Sequence, residues 1–136
     1  MDNERRVVYT YVVGDLFHIG HLRMLKQAKA LGDYLIVGVL TDEAVVAYKR
    51  LPVIPFDERI EIISAIKYVD LVVKQEILDP TDNLTRLSVD ILSHGNDWGE
   101  DFPGASYMRR TGKKVTKTRY YNGQSTTKII RKMRKE

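Results

Sequence analysis

A short segment near the N-terminus combines residue types that suit chemistry on a phosphoryl group. Residues 15–21 read DLFHIGH and join an apolar run to a helical pattern. If the helix begins near Gly20, His18 and His21 approach the same space at its first turn, where free backbone N–H groups and the helix dipole attract anions. Two imidazoles fixed there suit a transition state that gathers negative charge. An exposed helix start is the alternative. A metal clip is poorly supported, because structural zinc usually needs four ligands and the chain has no cysteine.

A second segment, residues 122–128 with the sequence NGQSTTK, opens the last helical pattern of the chain. Ser and Thr are good N-caps, so a purely structural interpretation is available. Three consecutive hydroxyls at a helix start, with Arg119 and Lys128 nearby, also fit a site for the β- and γ-phosphates of a nucleotide. We expect Ile129, Ile130 and Met133 to dock this helix on the rest of the domain.

Two further segments carry residues with more than one interpretation. Lys49 and Arg50 follow the second apolar run, and Arg59 lies on the next helical pattern. Each fits a solvated charge as well as a contact to a phosphate. Residues 94–99, HGNDWG, follow the fourth apolar run. The lone Trp98 with its short polar neighbours fits either a turn with a packing tryptophan or a site that reads the exocyclic amine of a base.

Alternating strand and helix patterns must position these segments. Apolar or β-branched runs predict strands at Val7 to Val13, Tyr34 to Leu40, Val69 to Val73, Val89 to Ser93 and Lys114 to Thr118. Helical spacing predicts helices from Leu22 to Leu31 with Gly32 as C-cap, Asp57 to Tyr68, Thr81 to Leu87 and Ser125 to Met133. This alternation indicates a mostly parallel sheet with helices on both faces, whose ligands lie beyond the carboxyl ends of the strands near the switch point.

Composition bounds the class of protein. The chain has 136 residues, 43% of them hydrophobic, which predicts one domain over residues 1–136 with a single core. No apolar stretch approaches the ~20 residues of a membrane span, and no signal-peptide pattern is present, so we expect a soluble cytoplasmic protein. The net charge is +4, but residues 109–136 hold eleven of the 22 basic and one of the 18 acidic residues. Such a basic segment suits a solvated helix face, RNA, a membrane surface or a triphosphate.

In order and spacing, these segments resemble the cytidylyltransferase family, especially the small glycerol-3-phosphate cytidylyltransferases. The resemblance runs from about Val8 to Ile130 and rests on Asp15-x-x-His18-x-Gly20-His21, Lys49, Arg59 in Asp-Glu-Arg, Gly95-Asn96-Asp97-Trp98 and Gly123-x-Ser125-Thr126-Thr127. The His-x-Gly-His element marks a wider nucleotidyltransferase superfamily, while the final Ser-Thr-Thr and the Asp-Trp pair narrow the choice. The resemblance implies a Rossmann-like, doubly wound, five-stranded α/β fold.

The resemblance also implies a reaction in which an acceptor oxygen attacks the α-phosphorus of CTP in line and pyrophosphate leaves. The catalytic residues it implies are His18, His21, Lys49 and Arg119. The nucleotide-binding residues it implies are Val13, Gly14, Asp15, Phe17, Gly20, Arg59, Gly95, Asn96, Asp97, Trp98, Gln124, Ser125, Thr126 and Thr127. Mg²⁺ is the implied cofactor, bound mainly through the phosphates and without direct protein ligands, and a homodimer is expected.

Three positions depart from the family pattern. Val12-Val13-Gly14 stand before Asp15, where the family usually has Gly-Thr-Phe or Gly-Cys-Phe. The signature arginine normally lies three residues before the glycine of Gly-x-Ser-Thr-Thr; here that position is Tyr120, and Arg119 is one residue further back. Asn96 replaces the first of two common aspartates.

The acceptor and the nucleotide remain open at this stage. Glycerol 3-phosphate is the first expectation for the acceptor, with phosphocholine and an alkylphosphonate as alternatives. An adenylyltransferase acting on a sugar phosphate or flavin mononucleotide shares His-x-Gly-His and the terminal Ser-Thr-Thr. A module that binds nucleotide or RNA without catalysis is a more distant alternative. With CTP and a small phosphate- or phosphonate-bearing acceptor as partners, neither nucleic acid nor a membrane is expected.

Overall fold

The computed structural model describes residues 5–95, 99, 101–119 and 123–135. These residues form one five-stranded sheet with the order β3-β2-β1-β4-β5, in which every neighbouring pair is parallel. The strands are β1 (Val7–Val12), β2 (Tyr34–Leu40), β3 (Leu71–Gln75), β4 (Ile91–Gly95) and β5 (Lys114–Thr118). The parallel α/β fold inferred from the alternating patterns is therefore confirmed.

Six helices accompany the strands in the described part of the chain. They are α1 (Ile19–Lys29), α2 (Asp42–Val46), α3 (Phe56–Ser64), α4 (Thr81–Arg86), α5 (Ala105–Arg110) and α6 (Thr126–Arg134). The longest, α1, has 11 residues, and none of the helices built from the described residues is long and apolar enough to cross a bilayer.

Helices cover both faces of the sheet because the strand side chains alternate in direction. On β1, Val8 and Val12 belong to a cluster that includes Leu25 of α1 and Ile63 of α3. Tyr9 of the same strand points the opposite way. Its cluster contains the buried apolar residues of the other helices, namely Ala44 and Val45 of α2, Leu84 of α4, and Ala105 and Met108 of α5.

Several predicted boundaries are corrected. Strands β3 and β4 begin two residues later than predicted, because Val69 and Val89 lie in the turns that lead into them, where their N–H groups bond to Ile66 and Leu84. Helix α3 ends at Ser64, since the N–H of Ala65 bonds three residues back. The C-cap of α1 is Ala30, two residues before the predicted glycine.

Helix α6 also departs from the prediction. It forms over almost the expected range, but none of its side chains is buried. Ile129 and Ile130 are half-buried, while Met133 is 55% exposed. The helix therefore packs at the margin of the domain, and its first turn is tied to the loop after β1 by a hydrogen bond from the Thr126 hydroxyl to the Asp15 carbonyl at 2.9 Å.

Candidate nucleotide site

Two adjoining cavities lie at the carboxyl edge of the sheet, the edge at which parallel α/β folds bind ligands. One has a volume of about 250 Å³, the other about 310 Å³. They share six lining residues, so we treat them as one cleft. The shared residues are His21, Met24, Lys49, Gly95, Thr126 and Thr127.

Most of the predicted site residues meet in this cleft. Its lining includes His18, His21, Lys49, Arg119, Val13, Gly14, Asp15, Gly20, Gly95, Gln124, Ser125, Thr126 and Thr127. Phe17 is not part of the lining; its ring stacks on that of His21 with the centroids 5.1 Å apart. Asn96, Asp97 and Trp98 lie outside the described residues.

The two histidines form a capping box at the start of α1. His18 is the N-cap, and its Nδ1 accepts a hydrogen bond from the Gly20 N–H at 3.0 Å. The Nδ1 of His21 accepts one from the His18 N–H at 3.1 Å. A neutral imidazole that accepts at Nδ1 carries its proton on Nε2. Each ring is therefore left with one N–H donor, and the ring centroids are only 4.0 Å apart.

Their surroundings keep both histidines neutral. Burial lowers the pKa of His18 below its ordinary value. Burial also lowers the pKa of His21, to about 3, with further lowering from the charges of His18 and Lys49, which outweigh the opposing effect of Asp15. At neutral pH the pair thus offers two N–H donors without positive charge.

Asp15 organises the loop that follows α2. Its carboxylate accepts from the N–H groups of Val53 and Ile54, both at 2.9 Å, and from Arg50 Nη1 at 3.3 Å. Burial by itself raises the pKa of Asp15, but these hydrogen bonds and the Arg50 charge outweigh it and hold the pKa below the usual value. The residue is 4% exposed, so its main role in this geometry is to hold residues 50–54 against the cleft.

Arg59 requires a correction, because it was expected to contact the nucleotide. Its side chain is fully buried and lies behind the cleft, not in its lining. Nη1 donates to the carbonyls of Val13 at 2.5 Å and Leu40 at 2.9 Å, Nε donates to Ile54 at 2.9 Å, and Nη2 pairs with Asp42 at 2.6 Å. Arg59 thus positions the Val13 backbone that forms the cleft floor.

The departure from the family pattern before Asp15 has a local structural basis. Gly14 has φ +73°, a conformation that side-chain-bearing residues rarely adopt. A Cβ on Gly14 would also lie 2.6 Å from Ile63 Cδ1. The chain turns here from β1 towards the histidines, and glycine permits the turn directly above the α3 core.

The start of α6 forms the opposite side of the cleft. Ser125 is the N-cap, and its hydroxyl accepts from the Lys128 N–H at 3.0 Å. The structural interpretation of this serine is therefore correct, while its hydroxyl proton stays available to a ligand. Thr127 lines the cleft, so the first turn of α6 presents hydroxyl and backbone donors towards it.

Arg119 is held near this end of the cleft by a residue that the sequence gave no reason to select. Gln27 of α1 accepts from the Arg119 N–H at 2.8 Å and donates to the Arg119 carbonyl at 3.3 Å. The two bonds fix the backbone of Arg119 beside α1 and leave its guanidinium exposed. The sequence placed Gln27 within the amphipathic pattern of α1, but this pattern alone does not indicate a contact with Arg119.

Beyond the histidines, the cleft has an aromatic end that we define as Tyr11, Val45, Tyr48, Leu78 and His94. The His94 ring stacks on that of Tyr11, with centroids 4.4 Å apart. The Tyr11 hydroxyl donates to the Pro103 carbonyl at 2.8 Å, which fixes the ring in place. Apart from His94, which belongs to the 94–99 segment, sequence reasoning missed this end, because its members come from two strands, helix α2 and two loops that only the fold brings together.

The described residues contain no group of three or more His, Asp or Glu side chains that could hold a metal ion. Asp15 already accepts three hydrogen bonds. A magnesium ion held mainly by phosphate oxygens, as this ion commonly is in nucleotide sites, fits such a lining.

Comparison with known proteins agrees with this geometry. A family model described as cytidylyltransferase-like matches residues 14–132. The chain is 41% identical over 125 residues to a probable ethanolamine-phosphate cytidylyltransferase of Encephalitozoon cuniculi, covering 88% of this chain and 38% of that protein. It is 35% identical over 132 residues to the bifunctional protein HldE of Citrifermentans bemidjiense, covering 95% of this chain and 27% of that one. The chain therefore spans well under half the length of these relatives.

A solved structure shows the same arrangement over nearly its whole length. The lipopolysaccharide core biosynthesis protein of Thermoplasma volcanium is 26% identical with a TM-score of 0.77, and the match covers 87% of this chain and 99% of that one. The family match extends from Gly14 through both histidines to α6 and so includes most of the residues that line the cleft. The chain belongs to the cytidylyltransferase-like family.

Proposed function

We propose that this protein transfers CMP from CTP to a small phosphorylated acceptor and releases pyrophosphate. The observation that carries the proposal is the convergence of two neutral imidazole donors, the start of α6 and Lys49 in one cleft. Such a site gathers donors for a phosphoryl group, and membership of the cytidylyltransferase-like family favours CTP as the nucleotide.

Ethanolamine phosphate is the acceptor that several of the relatives are named for. The Encephalitozoon protein is named for it, and so is a mouse protein that is 42% identical over 97 residues. The aromatic end can contact a short acceptor group through ring faces, and ring faces attract ammonium groups. Glycerol 3-phosphate, expected first from the sequence, and an alkylphosphonate stay as untested predictions.

The proposed reaction is a direct in-line displacement. An oxygen of the acceptor phosphate forms a bond to the α-phosphorus of CTP while the bond from that phosphorus to the bridging oxygen breaks, and the electron pair leaves with pyrophosphate. The Nε2–H donors of His18 and His21 bind the α-phosphate oxygens as charge develops there. These donors are already fixed by the capping box, so little reorganisation is needed at the transition state.

Other residues of the cleft position the remaining charges. The start of α6 binds the β- and γ-phosphates through Ser125, Thr126 and Thr127. Lys49 neutralises negative charge between the acceptor and the nucleotide. Arg119 contacts the departing pyrophosphate. Positioning and charge neutralisation are the main catalytic contributions in phosphoryl transfer. Mg²⁺, when bound through the phosphates, would supply additional charge neutralisation.

We further propose that the chain acts as a homodimer in the cytoplasm without a nucleic-acid partner. Support for the homodimer comes from the family resemblance. Sedimentation equilibrium of the purified protein measures the assembly state directly, and a mass of one chain at micromolar concentration would refute the dimer.

The proposal is tested by measuring pyrophosphate release and the nucleotide product by mass spectrometry. CTP, ATP, GTP and UTP are each offered with Mg²⁺ and with ethanolamine phosphate, glycerol 3-phosphate, phosphocholine, 2-aminoethylphosphonate or heptose 1-phosphate. We expect CDP-ethanolamine from CTP and ethanolamine phosphate. Lys26→Ala on the exposed side of α1 is the matched control for variants of the histidines.

Other outcomes have distinct meanings. Turnover with ATP in place of CTP would contradict the nucleotide assignment and favour an adenylyltransferase. Turnover with CTP and glycerol 3-phosphate alone would contradict the ethanolamine assignment. If a folded wild-type protein binds CTP but forms no product with any acceptor of the panel, the transfer proposal itself is refuted for these acceptors.

A further inference from the structure

A buried polar network joins β1, β3 and α4 beneath the wall of the aromatic end. Gln75, the last residue of β3, is 2% exposed. Its Oε1 accepts from the Tyr9 hydroxyl at 2.5 Å, and that hydroxyl also accepts from Asn83 Nδ2 at 3.0 Å. A buried amide that is fully hydrogen-bonded holds its neighbours in a defined arrangement, because breaking any one bond leaves a polar group unsatisfied.

The sheet leaves room for this network at one position of β2. A Cβ on Gly38 would lie 2.0 Å from the Tyr9 hydroxyl oxygen and 2.6 Å from Gln75 Oε1. Both distances are far below van der Waals contact, so no side chain larger than hydrogen is compatible with the Tyr9–Gln75 bond. The backbone of the central strands is therefore adapted to this hydrogen bond.

The amide nitrogen of the Gln75 side chain holds the loop after β3 in place. Its Nε2 donates to the carbonyls of Ile77 at 3.1 Å and Leu78 at 3.0 Å. Leu78 is one of the residues that line the aromatic end. The Gln75 carbonyl accepts from the Thr41 N–H at 3.1 Å, and Thr41 is the N-cap of α2, the helix that carries Val45. Gln75 thus bonds both to Leu78 and to the N-cap of the helix that carries Val45, two residues of this wall.

We propose that Gln75 is a positioning residue for the acceptor end of the cleft: its side-chain amide holds Leu78 at the wall where the non-phosphate part of the acceptor binds. The inference rests on the proposed transfer to a phosphorylated acceptor. Gln75 does not line the cleft, and it acts through Leu78. The histidines and the start of α6, which are proposed to bind the phosphates, are not part of this wall, so loosening Leu78 is expected to change recognition of the acceptor more than binding of the nucleotide phosphates.

The test compares two variants that lose the same hydrogen bond. Gln75→Met removes the Tyr9–Gln75 bond and both bonds to the loop, while keeping side-chain length. Tyr9→Phe removes the Tyr9–Gln75 bond and keeps both bonds to the loop. We expect Gln75→Met to raise the KM for the acceptor about tenfold, with kcat and the KM for CTP within about twofold of wild type. Tyr9→Phe should change the acceptor KM by less than about twofold.

A double-mutant cycle with Leu78 identifies the route of the effect. Leu78→Ala removes the wall itself and should raise the acceptor KM on its own. If Gln75 acts through Leu78, Gln75→Met should produce little further increase in the Leu78→Ala background. Three results would overturn the inference. The effects of Gln75→Met and Leu78→Ala on the acceptor KM could multiply independently. Tyr9→Phe could raise the acceptor KM as much as Gln75→Met does, or Gln75→Met could leave it unchanged.

A second measurement separates this inference from the proposed function. Amide hydrogen exchange of residues 76–79 needs no substrate and should become faster in Gln75→Met but not in Tyr9→Phe. If wild-type protein shows no turnover, the proposed function fails while exchange still reports on the loop. If turnover is normal and exchange is equal in the two variants, the positioning role fails and the proposed function stands.

Discussion

Each histidine of the His-x-Gly-His segment uses its two ring nitrogens for different purposes. Nδ1 of His18 caps α1, and Nδ1 of His21 completes the capping box. This explains the spacing of three residues, which is the distance between an N-cap and the third residue of a helix. The Nε2–H groups remain for a ligand, so the hydrogen bonds that start the helix also orient the two donors.

A substitution at His18 can remove the donor to the ligand while keeping the N-cap of α1. In His18→Asn, the amide oxygen takes the place of Nδ1 as a cap, and the Nε2–H donor is lost. We expect kcat to fall about 10²–10³-fold, the cost of losing one transition-state donor, with the free energy of unfolding changed by less than about 1 kcal/mol. Steady-state kinetics and urea denaturation measure the two effects.

His18→Gln is the matched control for this substitution. Its longer amide can place an N–H near the position of Nε2, but glutamine is a poor N-cap. Stability should therefore fall by about 1 kcal/mol, while kcat is reduced less than in His18→Asn. The opposite order of kcat values would show that capping, and not donation to the ligand, limits turnover.

The role of an individual residue could be predicted from the sequence when that role depends on its own type and on its near neighbours in the chain. The histidines and the Ser-Thr-Thr run were identifiable because their types and spacing suit a phosphate, whereas Lys49 was selected by the family resemblance; the structure brings all of them together. Arg59 looked the same as any charged residue on a helix. Two of the three carbonyls that it binds, those of Val13 and Leu40, come from distant parts of the chain, which no local pattern contains.

At the scale of helices and strands, long periodic patterns predicted structure better than short ones. Helices α2 and α5 have five and six residues and were not predicted. Helices this short are unstable by themselves, so their formation depends on tertiary contacts. For α2 one such contact is the pairing of Asp42 with Arg59, and the Thr41 hydroxyl adds a local cap by accepting from the Ala44 N–H at 3.1 Å.

The Arg59–Asp42 pair connects α2 and α3 behind the cleft, and removing the arginine should affect both helices. In Arg59→Met, the carbonyls of Val13, Leu40 and Ile54 lose their guanidinium donor. We expect the free energy of unfolding to fall by about 3 kcal/mol or more, the usual cost of leaving buried polar groups unpaired.

Urea denaturation of Arg59→Met measures this loss. Asp57→Ala, an exposed substitution on the same helix, is the control and should stay within about 0.5 kcal/mol of wild type. A small loss of unfolding free energy in Arg59→Met would mean that water replaces the guanidinium as the donor to these carbonyls. That result would contradict the burial of this region behind the cleft.

At the scale of the whole molecule, the alternation of strands and helices predicted the parallel fold but not the order of the strands. The chain moves outward from β1 through β2 to β3, then returns to the other side of β1 with β4 and β5. The cleft lies at this change of direction, as expected for such sheets. The aromatic end could not be predicted, because it combines residues from both halves.

The whole domain should lose stability in acid. The pKa of His21 is about 3 in the folded protein against an ordinary value of 6.5, so the unfolded chain binds a proton that the native state refuses. The stability tied to this neutral histidine is fully present above pH 6.5 and decreases as the pH falls towards 3. Asp15 and Asp70, whose pKa values are also lowered, add to the loss below about pH 4.

Urea midpoints at pH 7, 6, 5 and 4 test this prediction. His21→Asn keeps an acceptor for the His18 N–H but cannot bind the proton, so its stability should depend less on pH between 6.5 and 4. Parallel curves for wild type and His21→Asn would exclude His21 as the source of the acid sensitivity in this range.

The bond between the Thr126 hydroxyl and the Asp15 carbonyl joins residues that are 111 positions apart. During synthesis, the side of the cleft that bears the histidines leaves the ribosome long before the helix that completes it. A nascent chain that has emerged as far as β5 contains every strand of the described sheet but lacks the start of α6, where we propose that the β- and γ-phosphates bind. If the start of α6 binds the triphosphate as proposed, nucleotide capture is expected only once residue 126 has emerged from the ribosome, so unfinished chains would not compete with finished ones for nucleotide.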